Sequence, residues 1–298
     1  MGKHQERTAS TSEGNTRELS HWKTGLSKFL RNKAACFGGI LVLVFVISSV
    51  LAPVFYSRDP NAQDIRHALE SPSLKQPLGT DELGRSILAR IMFGGRITLT
   101  ISISSVALAL LIGVPFGLVS GYFGGKVDFL IQRLTDVMLS FPPFLLALAL
   151  VSVLGVGLKN TIISVGIAGV PHIIRITRGC VLSIREQVYV EAARSMGTRD
   201  RVILFRHILP NVLVPIIVNA TLFFGMAIIF AAGLGFLGVG VQPPAPEWGT
   251  MLGAGRSLIF AAPHVATFPG IAIFLVVLGF NLLGDGLRDA LDPRLAYE

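Results

Sequence analysis

The chain of 298 residues is 51% hydrophobic but only 15% charged, with 26 Lys and Arg against 18 Asp and Glu and a formal net charge of +8. Soluble domains carry about 25% charged residues, so there is too little charge here to cover soluble surfaces, and the apolar content excludes intrinsic disorder. Two cysteines, Cys36 and Cys180, exclude a disulfide framework and a multi-cysteine zinc site, which leaves an integral membrane protein with a mean hydropathy of +0.64.

A leader rich in Ser, Thr, Glu and Lys opens the chain. From His21 to Lys33, Trp22, Leu26, Phe29 and Leu30 recur at helical spacing between lysines and Arg31, which suits a helix lying in the membrane interface or, on the plainer reading, a polar tail. Crossing the hydrocarbon core takes about 20 mostly apolar residues. The first such stretch is 34–57; its polar leader is too long for a signal peptide and no small-residue cleavage site follows, so it reads as an uncleaved helix. Next come 97–125, holding Gly113, Pro115 and Gly117, then 137–158 with Pro142–Pro143, then the short 160–174 with Pro171. Another begins at Val202 and is charge-free from His207 to Pro246, and the last is 257–284. The expectation is an all-α polytopic protein with six transmembrane helices, bent at proline and glycine where neighbouring helices meet the freed backbone groups.

Charge sets the orientation. With the N-terminus inside, the segments 1–35, 122–136, 175–210 and 285–298 hold 18 of the 26 basic residues, and the positive-inside rule places both termini in the cytoplasm. The external segment 55–96 has six basic and five acidic residues, which suits translocation. The chain divides into a cytoplasmic tail (1–35), the first helix with its external loop (36–96), a core of five helices (97–284) and a second cytoplasmic tail (285–298).

Between the spans, Gly79 invites a turn, and Thr80 is placed to cap a helix with Asp81 and Glu82 in its first turn, running on through Ile87, Leu88 and Ile91. The prolines from Gln242 to Thr250 forbid regular helix; this loop, bearing Trp248, either faces an outer mouth or partner or simply packs. A short helix over 250–260 should follow. Internally, from Glu186 to Asn211, Val190, Ala193 and Gly197 share one face and Tyr189, Ala192 and Met196 the next stripe. Gly197 is placed as a C-cap, and Thr198 to cap a second helix with Asp200 in its first turn. Pro210 bends or restarts the helix before the membrane. Small residues on one stripe permit close approach by another body, so this loop between the fourth and fifth spans reads as a docking surface rather than a solvated spacer.

That internal segment resembles the cytoplasmic signature of permease subunits of ATP-driven importers: Glu191-Ala192-Ala193, then Gly197, then Leu209-Pro210, with His207 where the general pattern has Ile. Arg206-His-Ile-Leu-Pro, Leu78-Gly-Thr-Asp-Glu-Leu-Gly-Arg85, the loop around Pro243, Pro244, Glu247 and Trp248, and the tail Asn281 to Pro293 are similar to the dipeptide, oligopeptide and nickel branch, in its C-type permease. Ala262-Pro-His-Val-Ala-Thr-Phe-Pro269 is similar to glutathione-type members. The resemblance implies that Tyr189, Glu191, Ala192, Ala193, Met196 and Gly197, with Arg194, Thr198, Arg199, Leu209 and Pro210 beside them, dock a cytoplasmic ATPase. It places an external substrate-binding protein at the outer loops, around Gly79, Thr80, Asp81, Glu82, Gly84 and Arg85 and around Pro243, Pro244, Glu247 and Trp248. The implied partners are a homologous permease subunit, two ATPases and the binding protein; ATP and Mg belong to the ATPases, and no cofactor to this chain.

No catalytic constellation is present, and the nearest approach to a P-loop, Gly124-Gly125-Lys126, is followed by Val127 and lacks the first glycine. Asp128, Arg133 and Asp136 read as a local ion-pair set, His172 and His264 as hydrogen-bonded imidazoles, and Cys180 as an ordinary thiol. A secondary transporter or channel fits the broken helices but not the scarcity of ionisable residues in the spans.

Overall fold

The computed structural model describes residues 29–56 and 59–291. The interfacial helix expected from His21 lies outside these residues up to position 28. Among the described residues the fold is helical, with no strand and one isolated bridge, Thr80 to Ser86.

Helix α1 spans Lys33–Val50 and is capped by Asn32, whose Oδ1 accepts the N–H groups of Ala34 and Ala35 at 3.1 and 3.2 Å. Helix α2 spans Ile87–Phe123 and begins ten residues before the expected span. Its cap is Ser86, not Thr80. Asp81 takes the N–H groups of Leu83 and Arg85 at 3.0 Å, and Gly84 has φ +72°, so this segment closes as a turn that competes with helix. The run through Ile87, Leu88 and Ile91 into the membrane is as expected.

The expected span 137–158 is two helices. α3 (Gly125–Leu139) and α4 (Pro143–Leu154) meet at 88°, because Pro143 forces Pro142 into extended backbone and lacks the donor that would continue the helix. α5 runs from Leu158 to Arg185, straight through Pro171 and eleven residues past the expected end at 174. α6 is Val188–Ser195. α7 spans Asp200–Phe236, with a π-helical turn at Ile203–Ile208 and Pro210 in the turn after it. α8 (Trp248–Gly255) starts two residues early, and α9 (His264–Leu291) starts directly after Pro263, within the apolar stretch 257–284. Among the described residues five helices, α1, α2, α5, α7 and α9, are long and apolar enough to cross a membrane, and the bent α3–α4 pair can make a sixth.

Glycines set the helix spacing and reveal its direction. A Cβ on Gly113 would lie 2.7 Å from Ile173, one on Gly117 2.5 Å from Thr177, and one on Gly121 2.7 Å from Val181. Ser105 Oγ donates to Ile162 O at 3.1 Å. The paired numbers rise together, so α2 and α5 run parallel, backbone against backbone as small residues allow in membranes. The segment 124–157 must therefore carry the chain from one end of the bundle to the other. By the same test α1 and α9 are antiparallel: Gly38 meets Leu282, and Gly279 meets Leu41. Asn32 Nδ2 reaches Asp289 Oδ2 at 3.3 Å, so both described ends of the chain share one end of the bundle.

Candidate functional site at the two ends of the bundle

The helix–glycine–helix segment sits at the same end as those chain ends. α6 places Val190 and Ala193 inward, both buried against Val181, Ile203, Leu204, Ile208 and Tyr122. Its opposite side is open: Val188, Tyr189, Glu191, Ala192, Met196 and Gly197 are all exposed, Val188 and Met196 to 81% and 79%. Of the expected docking residues, Ala193 therefore supports the loop from beneath, while Val188, missed in the sequence, joins the outer face. Gly197 has φ +75° and ends α6 as expected; its N–H donates to Arg194 O and that of Thr198 to Ala193 O, at 2.9 and 3.1 Å. Thr198 does not cap α7. Position 199 is the cap residue, Arg199, and its side chain makes no capping bond, because a guanidinium has no acceptor to offer the free N–H groups. Leu209 is half-buried and Pro210 exposed in the turn after the π-helix.

The framework beneath this segment comes from α2, α3 and α5. Tyr122 donates its hydroxyl proton to Asp200, and the Arg194 guanidinium lies 5.6 Å over the Tyr122 ring. Asp128 binds Arg178 through two hydrogen bonds, at 2.6 and 2.7 Å, and accepts a third from Ser120. Asp136 pairs with Arg175 at 2.7 Å. The local set expected from Asp128, Arg133 and Asp136 is thus not formed; both carboxylates reach across to α5, whose arginines face α3 where the two helices converge. Nothing in sequence spacing marks partners about 40 or 50 positions away.

At the opposite end the expected partner-facing residues divide by burial. Thr80, fully buried, donates to His67 O and accepts from Glu70 N, and His264 Nε2 contacts Thr80 O at 3.2 Å. Asp81 holds Arg85 at 2.7 Å, with Arg90 Nε at 3.6 Å, and Arg90 donates to Asn61 Oδ1 at 2.9 Å. Trp248 is buried; its indole N–H donates to Ile91 O at 2.9 Å and its ring lies 5.3 Å from Phe45. Trp248 thus packs within the chain. Glu247 is buried and caps α8, accepting from Gly249 N and Thr250 N at 2.9 and 2.8 Å and from Thr250 Oγ1 at 3.0 Å. Burial pushes its carboxyl above the ordinary value, partly offset by those three donors. Gly79 and Gly84 are buried as well and Arg85 is half-buried, which leaves Glu82, Pro243 and Pro244 as the exposed members of the expected set.

A bent-helix bundle with described chain ends and a protruding helical segment at one end, and a packed polar cap at the other, describes a multi-pass helical membrane protein. Residues 113–297 match the family described as binding-protein-dependent transport system inner membrane component, and residues 20–75 match the N-terminal TM domain of oligopeptide transport permease C. The chain belongs to that first family and is an inner-membrane transport permease. It is 45% identical to the dipeptide transport system permease protein DppC of Alkalihalophilus pseudofirmus, over 93% of this chain and 91% of that protein. It is 46% identical to the glutathione transport system permease protein GsiD of Pectobacterium atrosepticum, over 92% and 91%. An inward-facing structure of the MetNI methionine ABC transporter shares the fold, with a TM-score of 0.57 at 19% identity, over 68% of this chain and 97% of that one.

Proposed function

We propose that this chain forms half of the translocation pathway of an ATP-driven importer of short peptides, di- or oligopeptides or glutathione-like, across the bacterial inner membrane. A homologous permease supplies the other half, two ATPases carrying ATP and Mg dock from the cytoplasm, and an external binding protein delivers substrate to the cap around Glu82, Pro243 and Pro244. The bent α3–α4 pair serves as the third of six crossings, which puts both termini and the α6 segment in the cytoplasm, in accord with the sorting of basic residues. This chain does no chemistry; it alternates between outward and inward openings under the bias of bound ATPases.

The observation that carries the reading is the open face of α6. Val188, Tyr189, Ala192 and Met196 expose apolar and small side chains in water, around Glu191, on a helix whose other side is locked into the bundle. Such a patch marks a protein interaction site. The relatives, named for dipeptide and glutathione transport, support the substrate class. The test is uptake by the reconstituted complex of both permeases, ATPases and binding protein, with Glu191→Arg in this chain. Uptake of a dipeptide should fall at least tenfold and ATPase co-purification should weaken. Uptake that persists without ATPase subunits, indifferent to the substitution, would favour a secondary transporter instead.

A further inference from the structure

The exposure of α5 changes at its midpoint. From Thr161 to Pro171 no residue is exposed; beyond it exposure recurs at His172, Arg175, Gly179 and Ser183. Those positions are three and four apart, so they lie on one side of the helix. Each is polar or glycine. Arg175 pairs with Asp136 of α3 at 2.7 Å, yet the two side chains remain 59% and 52% exposed. His172 lies inside the apolar stretch 160–174 and Arg175 directly follows it, so this side of α5 turns polar before the apolar stretch ends and stays polar beyond it. An exposed imidazole and an open charged pair at the edge of a span are costly against lipid, and ionisable groups there face a bundle interior or water. The core of a subunit interface is depleted of charge and enriched in aromatics, and this side of α5 has the reverse composition. The exposed face of α3, with Phe129, Leu130 and Leu134, is the one suited to lipid or protein.

We infer that the side of α5 carrying His172, Arg175 and Gly179, together with Asp136 of α3, forms a wall of the aqueous translocation pathway, and that the Arg175–Asp136 pair is a transient subsite for the charged ends of a passing peptide. The inference rests on the importer reading and adds a substrate-contacting site to it. The guanidinium matches a terminal carboxylate and the carboxylate matches a terminal ammonium. Because the two protein groups satisfy each other between passages, neither is left unpaired when substrate departs. An exposed ion pair is weak, so a peptide can open it. The open half of α5 is the half nearest α6, so the wall leads toward the ATPase side of the membrane.

The test uses the full complex in inverted vesicles, with Cys36→Ser and Cys180→Ser as background and single cysteines introduced as His172→Cys, Gly179→Cys and, for comparison, Leu134→Cys. A membrane-impermeant methanethiosulfonate should modify the first two at least ten times faster than the third. Failure to modify His172→Cys and Gly179→Cys in a complex whose parent background still shows ATP-driven uptake overturns the wall; loss of that parental uptake would instead refute the importer reading. For the subsite, Arg175→Glu should raise the uptake ratio of a lysine-containing to an aspartate-containing dipeptide at least fivefold over wild type, the binding protein being unchanged. Should that variant not assemble, Arg175→Gln should move the ratio about twofold in the same direction. A ratio unchanged with uptake retained overturns the subsite.

Discussion

The hydroxyl of Tyr122, in the last turn of α2, donates to Asp200 at the start of α7, joining positions 78 residues apart. The same ring lies under the Arg194 guanidinium of α6. One aromatic side chain therefore grips both limbs of the segment that turns at Gly197, and any displacement of that segment is felt directly at the end of a core helix.

Tyr122→Phe keeps the ring and removes the hydrogen bond. The expected loss is about 1 kcal/mol of stability, since Asp200 is exposed and water takes the place of the phenol. In a double-mutant cycle, Asp200→Ala on top of Tyr122→Phe should add little, which thermal unfolding in nanodiscs will read. Uptake per ATP hydrolysed should fall in both single variants. Full additivity of the two substitutions would show that the bond is not formed.

Asp128→Asn should destabilise more. It strips the counter-charge from a half-buried Arg178 that makes two bonds to it, a loss of about 2 kcal/mol given partial exposure. The exchanged pair, Asp128→Arg with Arg178→Asp, should recover part of that loss. The measurement is the yield of folded protein by size-exclusion together with the unfolding temperature.

Glu247 predicts a pH dependence. Its folded carboxyl is raised above the ordinary 4.5 by burial, so the native state holds the proton more tightly than the unfolded chain. The contribution is greatest below 4.5 and is lost as pH rises through the folded value, where an ionised group must stay buried. Glu247→Gln should flatten this slope in unfolding measured from pH 4.5 upward. Glu247→Ala, which removes both the cap of α8 and the titrating group, should cost about 1 kcal/mol at low pH and less as pH rises.

Gly117→Val should separate α2 from α5, because a Cβ there already falls 2.5 Å from Thr177 and 2.9 Å from Ile174 O. A destabilisation of about 3 kcal/mol or failure to assemble is expected. Gly179→Ala, on the same helix pair but with open space around its Cβ, should fold as well as wild type or slightly better. Equal behaviour of the two variants in detergent-purified yield would refute the close parallel packing.

The sequence by itself determined the class of protein, the approximate spans, the sorting of basic residues and the helix–Gly197–helix form of the segment from Glu186 to Asn211. All of these are local: hydropathy acts over about 20 residues, helical periodicity over a few turns, and a left-handed glycine within one. Tertiary structure decided which side of each element is buried and who pairs with whom. Thr80 has the chemistry of a cap, but Asp81 closes a turn ahead of it and Ser86 caps instead. Trp248 is an aromatic in a proline-rich loop, and only the approach of Ile91 and Phe45 turns it inward. Asp128 and Asp136 have Arg133 near them in sequence, yet the convergence of α3 and α5 brings Arg178 and Arg175 to them instead. A carboxylate pairs with the nearest guanidinium in space, and that distance is fixed by how closely helices pack, which no local pattern records.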